Sequence, residues 1–134
     1  MNLIHPDASL IPILDRELAV DIVYRLASAI GGTPGLDSVL ADFTQSAGTG
    51  YVAVTISLAD WLMDSIVSRN ASKTAGDISF VCSSGSYSVV GYYITNAGNT
   101  ELLGFVEFPA SVTVDGSNPL IVTPKWGAKS KYAA

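Results

Sequence analysis

From Gly50 onward, the chain is dominated by short runs in which apolar and polar residues alternate, separated by residues that favour turns. A period of two is typical of strands with one buried face, whereas helices repeat every 3.6 residues. Residues 51–58, 78–82, 86–95, 102–108, 112–114 and 120–123 are predicted to be strands. Asn and Gly at 96–99 and 115–119 suit tight turns, and Pro109 is expected to end a strand. The pattern therefore predicts an antiparallel β-sandwich, jelly-roll or immunoglobulin-like.

The N-terminal third has a mixed pattern. The apolar residues that recur there at helical spacing are Leu10, Ile13, Leu14 and Leu18. They predict one short amphipathic helix, capped by Asp7 or Ser9, with Pro12 in its first turn. Residues 20–26 fit a helix or a strand, and their β-branched content favours the strand. Residues 60–74 are interpreted as a connection. We expect a mainly β domain at residues 1–124 and a basic C-terminal tail at residues 125–134.

The composition restricts the class of protein further. Charged residues make up 14% of the chain and hydrophobic residues 49%, whereas typical soluble domains are about 25% charged. This balance excludes a disordered chain and a coiled coil. A membrane-spanning helix needs roughly 18 consecutive apolar residues, and the apolar runs here are shorter, so no membrane association is expected. A soluble domain with so few charges is typical of a subunit whose surface is covered in an assembly.

The net charge of −5 argues against nucleic acid as a partner, because a predominantly acidic body repels phosphate. Three of the seven basic residues, Lys125, Lys129 and Lys131, lie in the last ten positions. The single cysteine, Cys82, excludes an intramolecular disulfide. The first residues lack the basic and apolar regions of a signal peptide, so we expect the protein to be made and used without secretion.

Catalytic and metal-binding constellations are scarce. His5 is the only histidine. A Ser-His-Asp or Cys-His catalytic system would therefore have to use this N-terminal residue as its base. Zinc sites need several Cys or His ligands, and no spacing matches a calcium loop. Gly48-Thr49-Gly50 precedes a predicted strand rather than a helix, so it is not predicted to be a phosphate-binding loop. We therefore expect no enzyme, no metal and no cofactor, with a small β-fold hydrolase using His5 as the weakest alternative.

Four aromatic residues leave a second function open. A carbohydrate-binding β-sandwich could use Trp61, Tyr87, Tyr92 and Tyr93 as a stacking platform for sugars. In the competing interpretation, Tyr92 packs inward and Tyr93 lines the opposite face of its strand. Both interpretations stay open at the level of the sequence.

Five sequence blocks, at residues 39–45, 50–54, 90–95, 102–108 and 121–124, occur in the order VLADFTQ, GYVAV, VGYYIT, LLGFVEF and IVTP. They resemble a family of small tailed-bacteriophage virion proteins with the pattern LADFTEA…GYA…GYYVTD…LLWAERF…VTP. Family members are described as head or tail-fibre-like structural proteins and carry no catalytic motif. The Trp and Arg of the family's WAERF block are absent here, which puts any contact they make in doubt.

The resemblance implies a virion structural protein that is assembled in the host cytoplasm. A capsid decoration (cement) protein, bound between subunits of the major capsid protein, is favoured over a tail or tail-fibre component. Other virion proteins and a homo-oligomer, with a trimer favoured, are the further expected partners.

Two terminal arms are expected to reach neighbouring subunits. The predicted partner-binding residues are Leu3, Ile4, Lys125, Trp126, Lys129, Lys131 and Tyr132. Trp and Tyr are favoured interface anchors, although a floppy terminus would explain the tail equally well. Deleting residues 125–134 is expected to leave a folded domain that incorporates poorly into particles.

Overall fold

A computed structural model of the chain describes residues 7–67 and 70–129. One α-helix, α1, spans Asp7–Glu17, and single 3-10 turns occupy Leu40–Asp42 and Leu58–Asp60. The strands are β1 (Ile22–Ile30), β2 (Phe43–Gln45), β3 (Val54–Ile56), β4 (Trp61–Val67), β5 (Asn70–Ala75), β6 (Ile78–Phe80), β7 (Ser86–Asn96), β8 (Leu102–Asp115), β9 (Leu120–Val122) and β10 (Lys125–Lys129).

The predicted fold class is confirmed. The chain is mainly β, with antiparallel sheets and one short N-terminal helix, consistent with a β-sandwich. Its contacts group into two compact units, and the single domain expected over residues 1–124 stays a prediction. Unit 1 comprises Met1–Asp21, Ser57–Ile78 and Val122–Ala134, and unit 2 comprises Ile22–Ile56 and Ser79–Ile121. Among the described residues, no helix is long and apolar enough to cross a membrane.

In unit 1, the predicted amphipathic helix is confirmed. Leu10 and Leu14 of α1 are buried, whereas Asp15 is exposed. The helix begins at Asp7, so Pro12 lies in its second turn. The prediction from the sequence that Pro12 lies in the first turn was wrong. Pro12 is exposed, which places its ring away from the apolar stripe.

The same unit contains a three-stranded antiparallel sheet in the order β10-β5-β4. Residues 60–74, interpreted from the sequence as a connection, instead supply most of β4 and β5, so that interpretation was wrong. The side chains of β5 are small or polar, yet every second one is buried: Ala71, Lys73 and Ala75. Residues paired directly across a sheet share a face, and Trp126 of β10 pairs with Lys73. Leu10, Leu14 and Ala71 form a buried cluster on that face.

Unit 2 contains a sheet in the order β2-β1-β7-β8, with β3 also paired to β1. Residues 20–26, ambiguous in the sequence, mostly belong to β1, as their β-branched content indicated. The core on one face of the sheet contains Ala27, Phe43 and Tyr93. The rings of Phe43 and Tyr93 stack with centroids 5.0 Å apart, and Phe105 packs on Phe43 at 5.2 Å.

The β7–β8 hairpin confirms the predicted turn and corrects the end of the second strand. Asn99 in the turn has a φ of 52°, which Asn tolerates better than most residues. Strand β8 continues through Pro109 to Asp115. Proline lacks the N–H needed in a central strand but is accepted at bulges and sheet edges. The pairing shifts between Val89 and Gly91, where four residues of β8 lie opposite one of β7, and Pro109 lies within that bulge.

Candidate functional site

The basic tail predicted from the sequence is partly a strand of unit 1. Its first five residues form β10 and pair with β5 from Lys125↔Thr74 to Lys129↔Asn70. Trp126 is half-buried against the cluster of Leu10, Leu14 and Ala71. Its indole Nε1 donates a hydrogen bond of 3.0 Å to Oε2 of Glu17. The side chain expected to anchor a partner therefore packs against its own chain.

The other predicted partner-binding residues divide into two groups. Lys125 is exposed on the sheet face opposite Trp126, so it is available for contact. Lys129 is placed only by its backbone pairing in β10. Leu3, Ile4, Lys131 and Tyr132 lie outside the described residues. The structure thus brings no two of these side chains together in one described site.

A charged cluster that the sequence analysis missed joins helix and sheet inside unit 1. The side chain of Lys73 is 8% exposed, and its Nζ lies 2.8 Å from Oδ1 of Asp15 and 2.7 Å from Oδ1 of Asp64. Hydrogen bonds to Asp15 and then Asp64 raise the pKa of Lys73 above its usual value. Both carboxylates are about half exposed, which keeps them partly hydrated. The strand alternation of β5 could have revealed this lysine, since it places Lys73 between Ala71 and Ala75.

Substituting Lys73→Ala is expected to destabilise unit 1 by about 2 kcal/mol, because two charge-assisted hydrogen bonds are lost. Trp61 and Trp126, the two tryptophans of the chain, both lie in unit 1. Urea unfolding followed by tryptophan fluorescence therefore measures this change. Lys125→Ala is the matched control, since it removes an exposed lysine from the same sheet. Equal midpoints for both variants would show that the buried ion pairs contribute nothing.

The same lysine makes unit 1 sensitive to alkaline pH. Because the pKa of Lys73 is raised by folding, its contribution is complete below the unfolded value of about 10.4 and is lost as the pH rises through the folded pKa. We expect the tryptophan-detected unfolding midpoint to fall steeply above about pH 10.4. In the variant Lys73→Met, the part of this fall that is due to Lys73 should disappear. If the midpoint of the variant falls as steeply as that of the unaltered protein, the fall is due to other titrating groups.

The aromatic residues considered for sugar stacking do not form one platform. Trp61 is 7% exposed and Tyr93 is 2% exposed, so neither offers a ring face to a ligand. Tyr87 is half-buried and its hydroxyl donates a 2.8 Å hydrogen bond to the carbonyl of Val81. Tyr92 is also half-buried, between the rings of Tyr24 and Phe108. Burial raises the pKa of Tyr92, which matches its largely apolar surroundings.

A polar network spans the sheet of unit 2 around Arg25. Its guanidinium donates to Oγ1 of Thr95 at 3.0 Å and to Oε1 of Gln45 at 3.2 Å. The amide of Gln45 donates to the hydroxyl of Tyr51 at 3.1 Å, and the backbone N–H of Leu26 donates to the same oxygen at 3.0 Å. These bonds tie β1, β2 and β7 to the loop that carries Tyr51. The network fixes the position of the strands and presents no catalytic geometry.

Among residues 7–67 and 70–129, no group of three or more His, Cys, Asp or Glu could hold a metal ion. His5 lies outside this part of the chain. Cys82 is buried, and its Sγ donates to the carbonyl of Ser84 at 3.2 Å.

An open strand edge is formed by β8. This strand has 14 residues, whereas strands in globular proteins commonly have about 5–6. Among the described strands, β8 pairs with β7 alone. Val114 is its only fully buried side chain; Leu102 and Phe105 are half-buried and Val106 is 42% exposed. Unpaired strand edges accept strands from other chains, so this edge is the strongest candidate for an interaction surface.

Comparison of the chain with protein-family models, with curated proteins and with solved structures found no match.

Proposed function

We propose that this chain is a non-enzymatic structural protein of a tailed-bacteriophage virion, most specifically a decoration protein that binds between capsid subunits. The observation that carries the proposal is the long, weakly charged edge of β8. Such an edge serves a subunit that is covered in an assembly, because it offers backbone hydrogen-bonding groups and apolar side chains together. The sequence blocks that resemble phage structural proteins support the same class.

Exposed apolar residues outside the edge add to this support. Described side chains of this kind are Val20, Leu36, Val39, Val52, Leu58, Leu62, Ile66, Val81 and Ile121. Single exposed apolar residues are common in proteins, but Leu36 projects fully into solvent from the loop between β1 and the first 3-10 turn. Weak contacts of this kind gain avidity when they repeat across a capsid lattice.

The decisive experiment separates heads from tails of the phage that encodes the chain. Quantitative mass spectrometry should find the chain on heads, in a fixed ratio to the major capsid protein. Cryo-EM of the heads should then place it over the junctions between capsid subunits. Recovery on tails alone would favour the tail or tail-fibre role, and absence from both fractions would refute a virion role.

A further inference from the structure

Each unit has an open strand edge, and the two edges carry charges of opposite sign. The first is the N-terminal half of β8, residues 102–107, where Glu107 is the only charged residue and no proline interrupts the strand. Natural edges are commonly blocked by lysine, proline or a bulge. Here one bulge and Pro109 follow Glu107, and a second shift in the pairing, between Ile94 and Thr95 of β7, leaves Leu103 as an extra residue of β8. The regular part of this edge is therefore residues 104–107.

The second edge is β10, the outer strand of the sheet in unit 1. Within the part of the chain that the structure describes, β10 pairs with β5 alone. Its five residues include Lys125 and Lys129 and no acidic residue. A strand of this length can make the main-chain hydrogen bonds of a short added strand.

The charges at the two edges favour contact between copies. Unit 1 as a whole has six basic and seven acidic residues, whereas unit 2 has five acidic residues and a single basic one, Arg25. Arg25 is engaged with Thr95 and Gln45. Lys125 and Glu107 are both exposed, and neither takes part in an ion pair among the described residues. An interface between β10 and β8 would therefore join free charges of opposite sign.

The spacing of residues selects one register. If β10 is antiparallel to β8 with Lys125 opposite Glu107, then Gly127 lies opposite Phe105. Side chains alternate between faces, so these four residues share one face, and the glycine leaves room for the aromatic ring beside it.

We propose that copies of this chain associate head to tail, with β10 of one copy added to the β8 edge of the next copy at residues 104–107. The inference rests on the proposed role as a multi-copy structural protein and deepens it by naming the contact between copies. Two different surfaces meet in such a contact, so the arrangement closes into a ring when the rotation between copies allows it. Three copies would give the trimer expected from the sequence resemblance.

Charge reversal tests the contact in solution. Lys125→Glu should weaken self-association at least about tenfold, measured by light scattering over a concentration series, because two carboxylates then face each other. The double variant Lys125→Glu/Glu107→Lys restores opposite charges and should recover most of the lost association. Arg16→Glu, an exposed charge reversal on α1, is the matched control and should associate like the unaltered protein. Unchanged tryptophan fluorescence shows that unit 1 is folded in each variant, and unchanged amide hydrogen exchange along β7 shows the same for unit 2.

Cross-linking tests the register directly. A zero-length carbodiimide reagent is applied to an equal mixture of ¹⁵N-labelled and unlabelled protein. Peptides of mixed isotope that join Lys125 to Glu107 are expected. Mixed-isotope links from Lys125 to other carboxylates, with none to Glu107, would overturn the proposal. A monomer at all concentrations would overturn it as well.

The two proposals fail in different ways. A monomeric protein that is still recovered on phage heads would refute the head-to-tail contact and leave the virion role standing. An oligomer with the expected cross-links that is absent from heads and tails would refute the virion role and leave the contact standing.

Discussion

Removing residues 125–134 should unfold unit 1, the opposite of what the sequence alone suggested. The deletion takes away β10 and its pairing with β5. It also removes the Trp126 ring from Leu10 and Leu14, and its hydrogen bond to Glu17. Truncating a fully buried Trp to Ala costs about 3–5 kcal/mol, and this deletion removes a paired strand as well. Whole domains are stable by only about 5–15 kcal/mol, so the loss is expected to be decisive for unit 1.

The fluorescence of Trp61, the remaining tryptophan, measures the effect. Trp61 is buried in the intact chain, so its emission should shift to the red in the truncated protein. Trypsin should also cleave rapidly after Lys73. A chain that ends at Lys129 is the control, because it keeps all of β10. Native emission and protease resistance after deletion of residues 125–134 would show that β10 does not hold unit 1 together.

Trp126 can also be tested by itself. Trp126→Phe keeps an aromatic ring over the apolar cluster and loses only the hydrogen bond to Glu17, at a cost of about 1 kcal/mol. Trp126→Ala should cost about 3 kcal/mol, at the lower end of the range for a buried aromatic ring, because Trp126 is half-buried. Urea midpoints in the same fluorescence assay separate the two contributions.

Substituting Gly91→Ala should destabilise unit 2 by about 3 kcal/mol, the upper end for an overpacked site. A methyl group at Gly91 would collide with the carbonyl oxygen of Val106 and stand 3.2 Å from Cα of Glu107. These are backbone atoms of the paired strand, so no side chain can turn away to relieve the clash. The β7–β8 pairing beside the bulge must therefore shift or open.

Gly104 is the matched control on the same hairpin, since a Cβ there would meet nothing within 4 Å. Gly104→Ala should be neutral or stabilising by about 0.5 kcal/mol, because glycine loses more backbone entropy on folding. Amide hydrogen exchange along β7 reports the stability of unit 2 without interference from unit 1. Equal protection in the two variants would mean that the strands accommodate the methyl group at Gly91.

The sequence was most informative where backbone preference and burial agree. The Asn-rich turn at 96–99 and the amphipathic spacing of Leu10 and Leu14 predicted the hairpin and α1. It was least informative for β4 and β5, which contain polar residues of a kind that usually faces solvent. Lys73 is buried because Asp15 and Asp64 balance its charge, and those residues come from other elements. The spacing of apolar residues along the sequence does not reveal that Lys73 pairs with these two aspartates.

The candidate interaction surfaces could not be predicted from the sequence for the same reason, since they depend on contacts between distant segments. Lysines around Trp126 suggested an exposed arm, but the indole is held by α1, a segment more than one hundred residues earlier in the sequence. The open edge of β8 was not predicted either, because Pro109 was expected to end that strand. Whether a strand lies at an edge depends on strand order, which alternation does not specify.

The division of unit 1 into three chain segments has a consequence for synthesis on the ribosome. All of unit 2 has been translated once Ile121 is added, whereas unit 1 still lacks β10. Domains generally fold as units, so unit 1 can fold only after its last strand, β10, has been made. A chain whose synthesis stops at Ile121 would therefore hold every residue of unit 2 but would have an incomplete unit 1.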